Sequence, residues 1–88
     1  ESLKVFPVPI VDDIMVQLSL RAPVDKLEVA LLDVAGHSIF DQELRGLVKG
    51  RNERKLNTNA RKIAPGIYFL RISGWKDQTT KVIKIVKR

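Results

Sequence analysis

Apolar residues recur at every second position in two successive segments of the chain, which is the period of an extended strand with one buried face. The first segment covers residues 14–20, and the second covers residues 26–31. Ala22–Pro23 interrupts the pattern between them, because proline cannot donate to a strand ladder. The two segments therefore predict β-strands that each present one side to a core.

Turn residues divide the rest of the chain into further strands. Asp33–Gly36 is typical of a tight turn, since Asp bonds its own downstream backbone and Gly tolerates positive φ. With the predicted strand over residues 37–44, this turn completes a β-hairpin. Pro65–Gly66 precedes the aromatic and β-branched run 67–72, and the GWKD turn then leads into a last strand that ends at Arg88.

Three other segments carry weaker signals. Residues 3–6 form a short apolar run that ends at Pro7 and Pro9, which favours a place at a sheet edge. Residues 46–52 are interpreted as the loosest segment, and residues 54–57 as a short strand that leads into a capped helical turn before Pro65.

Short strands separated by turn signals predict an all-β fold, a small seven-stranded antiparallel immunoglobulin-like β-sandwich. The expected core consists of Val16, Leu18, Val29, Leu31, Tyr68, Leu70 and Ile72. A turn of type II is expected at Pro65–Gly66, with Gly66 at positive φ.

Length and composition restrict the classes of function. A chain of 88 residues fits one domain, with a core but little volume for a deep catalytic cleft. The chain has no Cys, which excludes disulfides and thiolate metal sites, and no apolar run approaches the roughly 20 residues of a membrane helix. The net charge of +6 suits solubility, and the interleaved acidic residues and few aromatic residues argue against a nucleic-acid partner.

Few residues suggest chemistry, and no catalytic or metal-binding set is predicted. His37 is the only histidine and lies beside a turn glycine, with no nucleophile pattern around it. Asp12 and Asp13 are adjacent, so they point to opposite sides of a strand and do not converge on a cation. Trp75 lies in the last turn, where it either folds over its own strands or stacks on a sugar.

The last strand carries Lys81, Lys84 and Lys87 among aliphatic residues and ends at Arg88. Along a strand, Lys81 and Lys87 point to one side and Lys84 to the other. Two interpretations remain open for these side chains. Lysines on an edge strand discourage aggregation between sheets, and they also suit a partner that pairs with the edge and reads its charge.

Four landmarks in this order resemble the C-terminal sorting domains of the type IX secretion system of Bacteroidetes. They are the Val-Phe-Pro-Val-Pro stretch at residues 5–9, the Asp-x-x-Gly hairpin within residues 31–39, the Pro-Gly-x-Tyr strand within residues 63–72 and the lysine-bearing strand 81–88. Val8 stands where the family usually has Asn, and His37 where it usually has Arg or Lys. The motif residues are Pro7, Pro9, Asp33, Gly36, Gly66, Tyr68 and Leu70.

The resemblance implies a non-enzymatic address label without cofactors. Residues 1–88 are then a single C-terminal sorting domain, excised from a longer secreted protein whose N-terminal cargo the label accompanies. Its implied partners are the outer-membrane translocon and a cell-surface peptidase that usually removes the label. Its implied route runs through the periplasm to the cell surface or the medium, without stable membrane insertion, and the residues expected to be read are Lys81, Lys84, Lys87 and Arg88.

Two other classes of function fit the same residues. One is an immunoglobulin-like spacer of a secreted hydrolase, and the other is a carbohydrate- or surface-binding accessory module. Position in the parent protein separates them from a sorting label, because a label has to be C-terminal whereas a spacer is free to be internal.

Overall fold

Seven β-strands build the fold in the computed structural model, which describes residues 2–6, 13–58 and 62–88. The strands are β1 (Ser2–Phe6), β2 (Ile14–Leu20), β3 (Val24–Leu32), β4 (Ser38–Leu47), β5 (Gly50–Leu56), β6 (Gly66–Ser73) and β7 (Thr80–Lys87). The features predicted at Pro7, Pro9 and Asp12 lie outside the described residues, as does most of the predicted helical turn before Pro65.

All neighbouring strands pair antiparallel, in a three-stranded sheet of order β1-β2-β5 and a four-stranded sheet of order β4-β3-β6-β7. The predicted seven-stranded antiparallel β-sandwich is thereby confirmed. The β3–β4 hairpin is also as predicted, and β1 lies at a sheet edge as its flanking prolines indicate. Strand β4 extends three residues beyond the predicted Leu44, to Leu47.

The core lies between the two sheets and follows the period of two. In β2 every second residue from Ile14 to Leu20 is buried and the residues between them are half-buried. All seven predicted core residues are buried, and the core is completed by the buried side chains of Val5, Ile14, Leu20, Leu27, Leu44, Leu47, Leu56, Trp75 and Ile85. Burial of this apolar surface is the main term that stabilises the sandwich.

The interpretation of residues 46–52 as the loosest segment is wrong. Val48 and Lys49 carry the chain from β4 in one sheet to β5 in the other, and the buried side chain of Asn52 holds this corner. Its Oδ1 accepts from the backbone N–H of Val48 (2.9 Å), while its Nδ2 donates to the carbonyls of Val48 (2.9 Å) and Gly50 (3.1 Å). The connection between the two sheets is short, and its backbone N–H and C=O groups have no partner in a neighbouring strand. The side-chain amide of Asn52 supplies these hydrogen bonds.

Replacing this amide is expected to loosen the corner. Asn52→Ala leaves the Val48 N–H and two carbonyls without their partner, and we expect a loss of about 1–3 kcal/mol in the free energy of unfolding. Urea unfolding followed by circular dichroism measures the loss. Asn57→Ala is the matched control, because Asn57 is exposed and its change is expected to stay within about 0.5 kcal/mol. Equal stability of the two variants would contradict a structural role for Asn52.

Candidate recognition surface

Strand β7 lies at the edge of the four-stranded sheet. It pairs with β6 over eight residues without a register shift, from Gly66 opposite Lys87 to Ser73 opposite Thr80. Within the part of the chain that the structure describes, β7 pairs with β6 alone. The edge of β7 that faces away from β6 therefore presents the row of backbone N–H and C=O groups that every sheet edge leaves unpaired.

The four basic residues singled out in the sequence lie in three different environments. Lys81 and Lys87 share the core side of β7 and Lys84 points outward, which confirms the predicted alternation. Lys87 is buried, and its Nζ donates to the backbone carbonyl oxygen of Arg88. Lys81 is half-buried, whereas Lys84 and Arg88 are exposed. Of the four, Lys84 and Arg88 are the ones whose charge is accessible to a partner.

Trp75 is packed into the structure rather than displayed on it. Its side chain is only 8% exposed, and the Nζ of Lys81 lies 5.7 Å from the centre of its ring. That distance allows a cation–π attraction, which fixes the lysine against the last turn. Because the ring is covered, Trp75 does not offer the open aromatic face on which a sugar stacks. Of the two interpretations of this residue, folding over its own strands is the one that fits.

The exposed side of β6 and β7 carries four apolar side chains beside two basic ones. We call it the β6–β7 outer face, and it consists of Ile67, Phe69, Arg71, Val82, Lys84 and Val86. Val82 is 55%, Ile67 43% and Val86 38% exposed. The register places Ile67 opposite Val86, Phe69 opposite Lys84 and Arg71 opposite Val82. Side chains that face each other across an antiparallel pair are in contact range, so these residues form one continuous patch around Lys84.

The other half of the same sheet surface carries three carboxylates. Glu28, Asp41 and Glu43 line a shallow groove of about 470 Å³, with Arg71 at its boundary with the β6–β7 outer face. Glu43 is paired with Arg45 and, at 3.6 Å, with Lys26. The exposed surface of the four-stranded sheet is therefore divided into a carboxylate-bearing half on β3 and β4 and an apolar, basic half on β6 and β7.

Asp33 organises the hairpin between β3 and β4. Its Oδ1 accepts from the backbone N–H groups of Ala35 (3.0 Å) and His37 (2.9 Å), and its Oδ2 lies 3.2 Å from Nδ1 of His37. Gly36 has a φ of +89°, in a region of backbone conformation that residues with a side chain rarely adopt. The hydrogen bond from the His37 backbone lowers the pKa of the Asp33 carboxyl below its ordinary value of 3.8. Asp33 and Gly36 therefore both stabilise the turn between β3 and β4.

The hairpin is expected to lose stability in acid. Because the folded-state pKa of Asp33 lies below the unfolded value, its charge stabilises the fold above that unfolded pKa, and this contribution is lost as pH falls through the folded pKa. Asp33→Asn keeps an acceptor oxygen but has no charge. We expect the wild type to have the higher urea midpoint at neutral pH and the difference to vanish below the pKa of Asp33. A difference that is the same at all pH values would contradict the charge effect.

The Pro-Gly-x-Tyr motif forms the entry to β6. Gly66 has a φ of +153°, so positive φ is confirmed, but this value is far from the roughly +80° of the predicted type II turn. Gly66 instead begins the strand opposite Lys87. Two residues later, the hydroxyl of Tyr68 donates to the backbone carbonyl of Ala64, which is the tyrosine-corner arrangement of immunoglobulin-like sandwiches. Leu70, fully buried, follows on the same side of the strand.

The described residues hold no group of three or more His, Asp and Glu side chains placed to bind a metal ion. His37 is exposed beside Asp33, and Asp13 is exposed with its carboxylate 3.6 Å from Nζ of Lys55. In the same part of the chain, no helix has the length and apolarity to cross a membrane.

Comparison with protein families finds a match to the family described as the secretion system C-terminal sorting domain, over residues 4–88. The match includes all four landmarks of the sequence, from the first strand to the end of β7. Neither a curated protein nor a solved structure shows significant similarity to the chain.

Proposed function

The chain belongs to the family of type IX secretion C-terminal sorting domains, and we propose that it acts as a folded export label recognised through β7 and the β6–β7 outer face. The observation that carries the proposal is the family match over residues 4–88, which extends through the terminal strand. Sorting domains of this family direct secretion and are not catalytic. The label therefore works by being bound.

The proposed partner is the outer-membrane translocon of the type IX system. It would receive the folded sandwich in the periplasm, together with the cargo attached to its N-terminus, and pass the cargo to the cell surface. A cell-surface peptidase would then remove the label. The geometry supports binding over reaction, because a sandwich with a filled core offers an edge and a surface patch rather than an enclosed cavity.

Position dependence separates this function from that of a passive spacer or an accessory binding module. Residues 1–88 fused to the C-terminus of a periplasmic reporter are expected to bring the reporter to the surface of a type IX host. The same residues fused to the N-terminus are expected to leave it in the periplasm. Surface labelling of intact cells measures both. Surface display of both fusions, or of neither, would contradict a C-terminal sorting label.

A further inference from the structure

The four edge strands of the sandwich differ in how well they are protected against pairing with another strand. Strand β1 has only five residues, and β5 carries the charged residues Arg51, Glu53 and Lys55 on one side. Strand β4 carries Asp41, Glu43 and Arg45, and its pairing with β3 is interrupted by a register shift. Shortness, charge and irregular register are the usual means by which an edge avoids further pairing.

Strand β7 has little of this protection. Its eight residues keep an unbroken register with β6, and they include neither Pro nor Gly. On its outward side stand Val82, Lys84 and Val86, so one lysine is the only charged side chain there. The other lysines of the strand, Lys81 and Lys87, are turned toward the core side. Lys87 is buried there and Lys81 is half-buried. An edge that is long and regular, with a single exposed lysine, is suited to accept another strand.

We propose that a β-strand of a partner protein pairs along β7 and continues the four-stranded sheet. This partner strand carries a carboxylate opposite Lys84, with an aliphatic side chain two residues away on each side, opposite Val82 and Val86. The pattern is symmetric, so it fits a strand running in either direction. Assigning this strand to the export machinery rests on the proposed function; the pairing itself follows from the edge.

Charge favours a different protein over a second copy of this chain. Two β7 strands paired antiparallel in a register centred on Lys84 would bring this residue of one copy opposite the same residue of the other, where like charges are destabilising. The chain also has a net charge of +6, which opposes self-association. A carboxylate opposite Lys84 replaces this repulsion by an attraction beside apolar neighbours on both sides.

Backbone pairing has a signature that other modes of binding lack. A strand on one edge uses every second N–H of its own backbone in hydrogen bonds to that edge. The probe is a synthetic peptide in which Val, Glu and Val alternate with Thr. N-methylation of one alternate set of its amides is expected to abolish binding, and N-methylation of the other set to leave it unchanged. Binding is followed by the amide NMR signals of the protein, with the shifts expected along β7.

Charge exchange tests the position of the carboxylate. Lys84→Glu is expected to weaken binding of the Glu peptide about tenfold and to restore binding of a peptide with Lys in place of Glu. Lys49→Glu, a charge reversal at the exposed β4–β5 corner, is the matched control and is expected to change neither affinity. Lys84 is exposed, so the variant is expected to keep the wild-type urea midpoint.

The outcomes separate the pairing from the proposed function. Equal effects of the two N-methylation patterns would overturn the strand pairing and indicate docking on the face or attraction by charge alone, and a concentration-dependent dimer that excludes the peptide would overturn the choice of partner. Absence of any binding by the unmodified peptide would also overturn the proposed partner strand. Each of these results is compatible with normal export of a C-terminally fused reporter, whereas failure of export with intact peptide binding would overturn the proposed function and leave the edge pairing standing.

Discussion

Deletion of residues 81–88 is expected to trap a C-terminally fused reporter in the periplasm of a type IX host. The deletion removes nearly all of β7, and with it the open edge, Lys84 and half of the β6–β7 outer face. We expect the reporter to be released by osmotic shock and to be absent from the surface of intact cells. Normal surface display of the truncated fusion would contradict recognition through the terminal strand.

Trapping has two possible causes, which charge reversal distinguishes. Loss of β7 uncovers one side of β6 and removes Ile85 from the core, so the truncated sandwich is expected to be less stable. Reversal of Lys84 and Arg88 to Glu leaves the core intact, since both side chains are exposed, and changes stability by about 0.5 kcal/mol or less at each site. Reduced export of this folded double variant would show that the translocon recognises these charges directly. Lys87 is unsuited to the experiment, because it is buried and bonded to Arg88.

Truncation of Leu70 is expected to have the largest effect on stability. Leu70 has no exposed surface and lies on β6 between Leu31 of β3 and Ile83 of β7. Leu70→Ala removes buried methyl groups and leaves a cavity, and we expect a loss of about 2–5 kcal/mol in the free energy of unfolding. For a domain with a total stability of about 5–15 kcal/mol, this is a large share.

Urea unfolding followed by far-UV circular dichroism measures the effect. Leu70→Met is the matched control, since it nearly conserves volume and is expected to lose less than about 1.5 kcal/mol. The same truncation at Leu31, which is also buried, is expected to fall in the same range as Leu70→Ala. A loss below 1 kcal/mol for both truncations would contradict the placement of these residues in the core.

The strands and their buried sides follow from local patterns. In β2 every second residue is buried. In β3 the most deeply buried residues, Leu27, Val29 and Leu31, also lie at every second position, and the small Ala30 between them is buried as well. The sequence alone therefore predicts the core sides of both strands. The turn at Asp33–Gly36 is equally local, because the aspartate bonds residues only two and four positions ahead.

Two features have no signal in the local pattern of residues. Asn52 is one polar residue among many in its segment, and its bonds become visible only when β4 and β5 are placed in different sheets. In β7 both sides carry aliphatic residues, Ile83 and Ile85 on one and Val82 and Val86 on the other. The pattern therefore predicts the alternation of the lysines but not which side is buried, and the burial of Lys87 could not be predicted from it.

The most direct measurement is protease shaving of intact cells that carry a reporter fused at its C-terminus to residues 1–88. It is made in parallel in a type IX host and in a derivative of that host without the outer-membrane translocon. We expect the reporter to be digested on intact wild-type cells and to be protected, but intact in the periplasmic fraction, in the derivative. Equal protection or equal digestion in the two strains would contradict the role of this chain as a type IX sorting label.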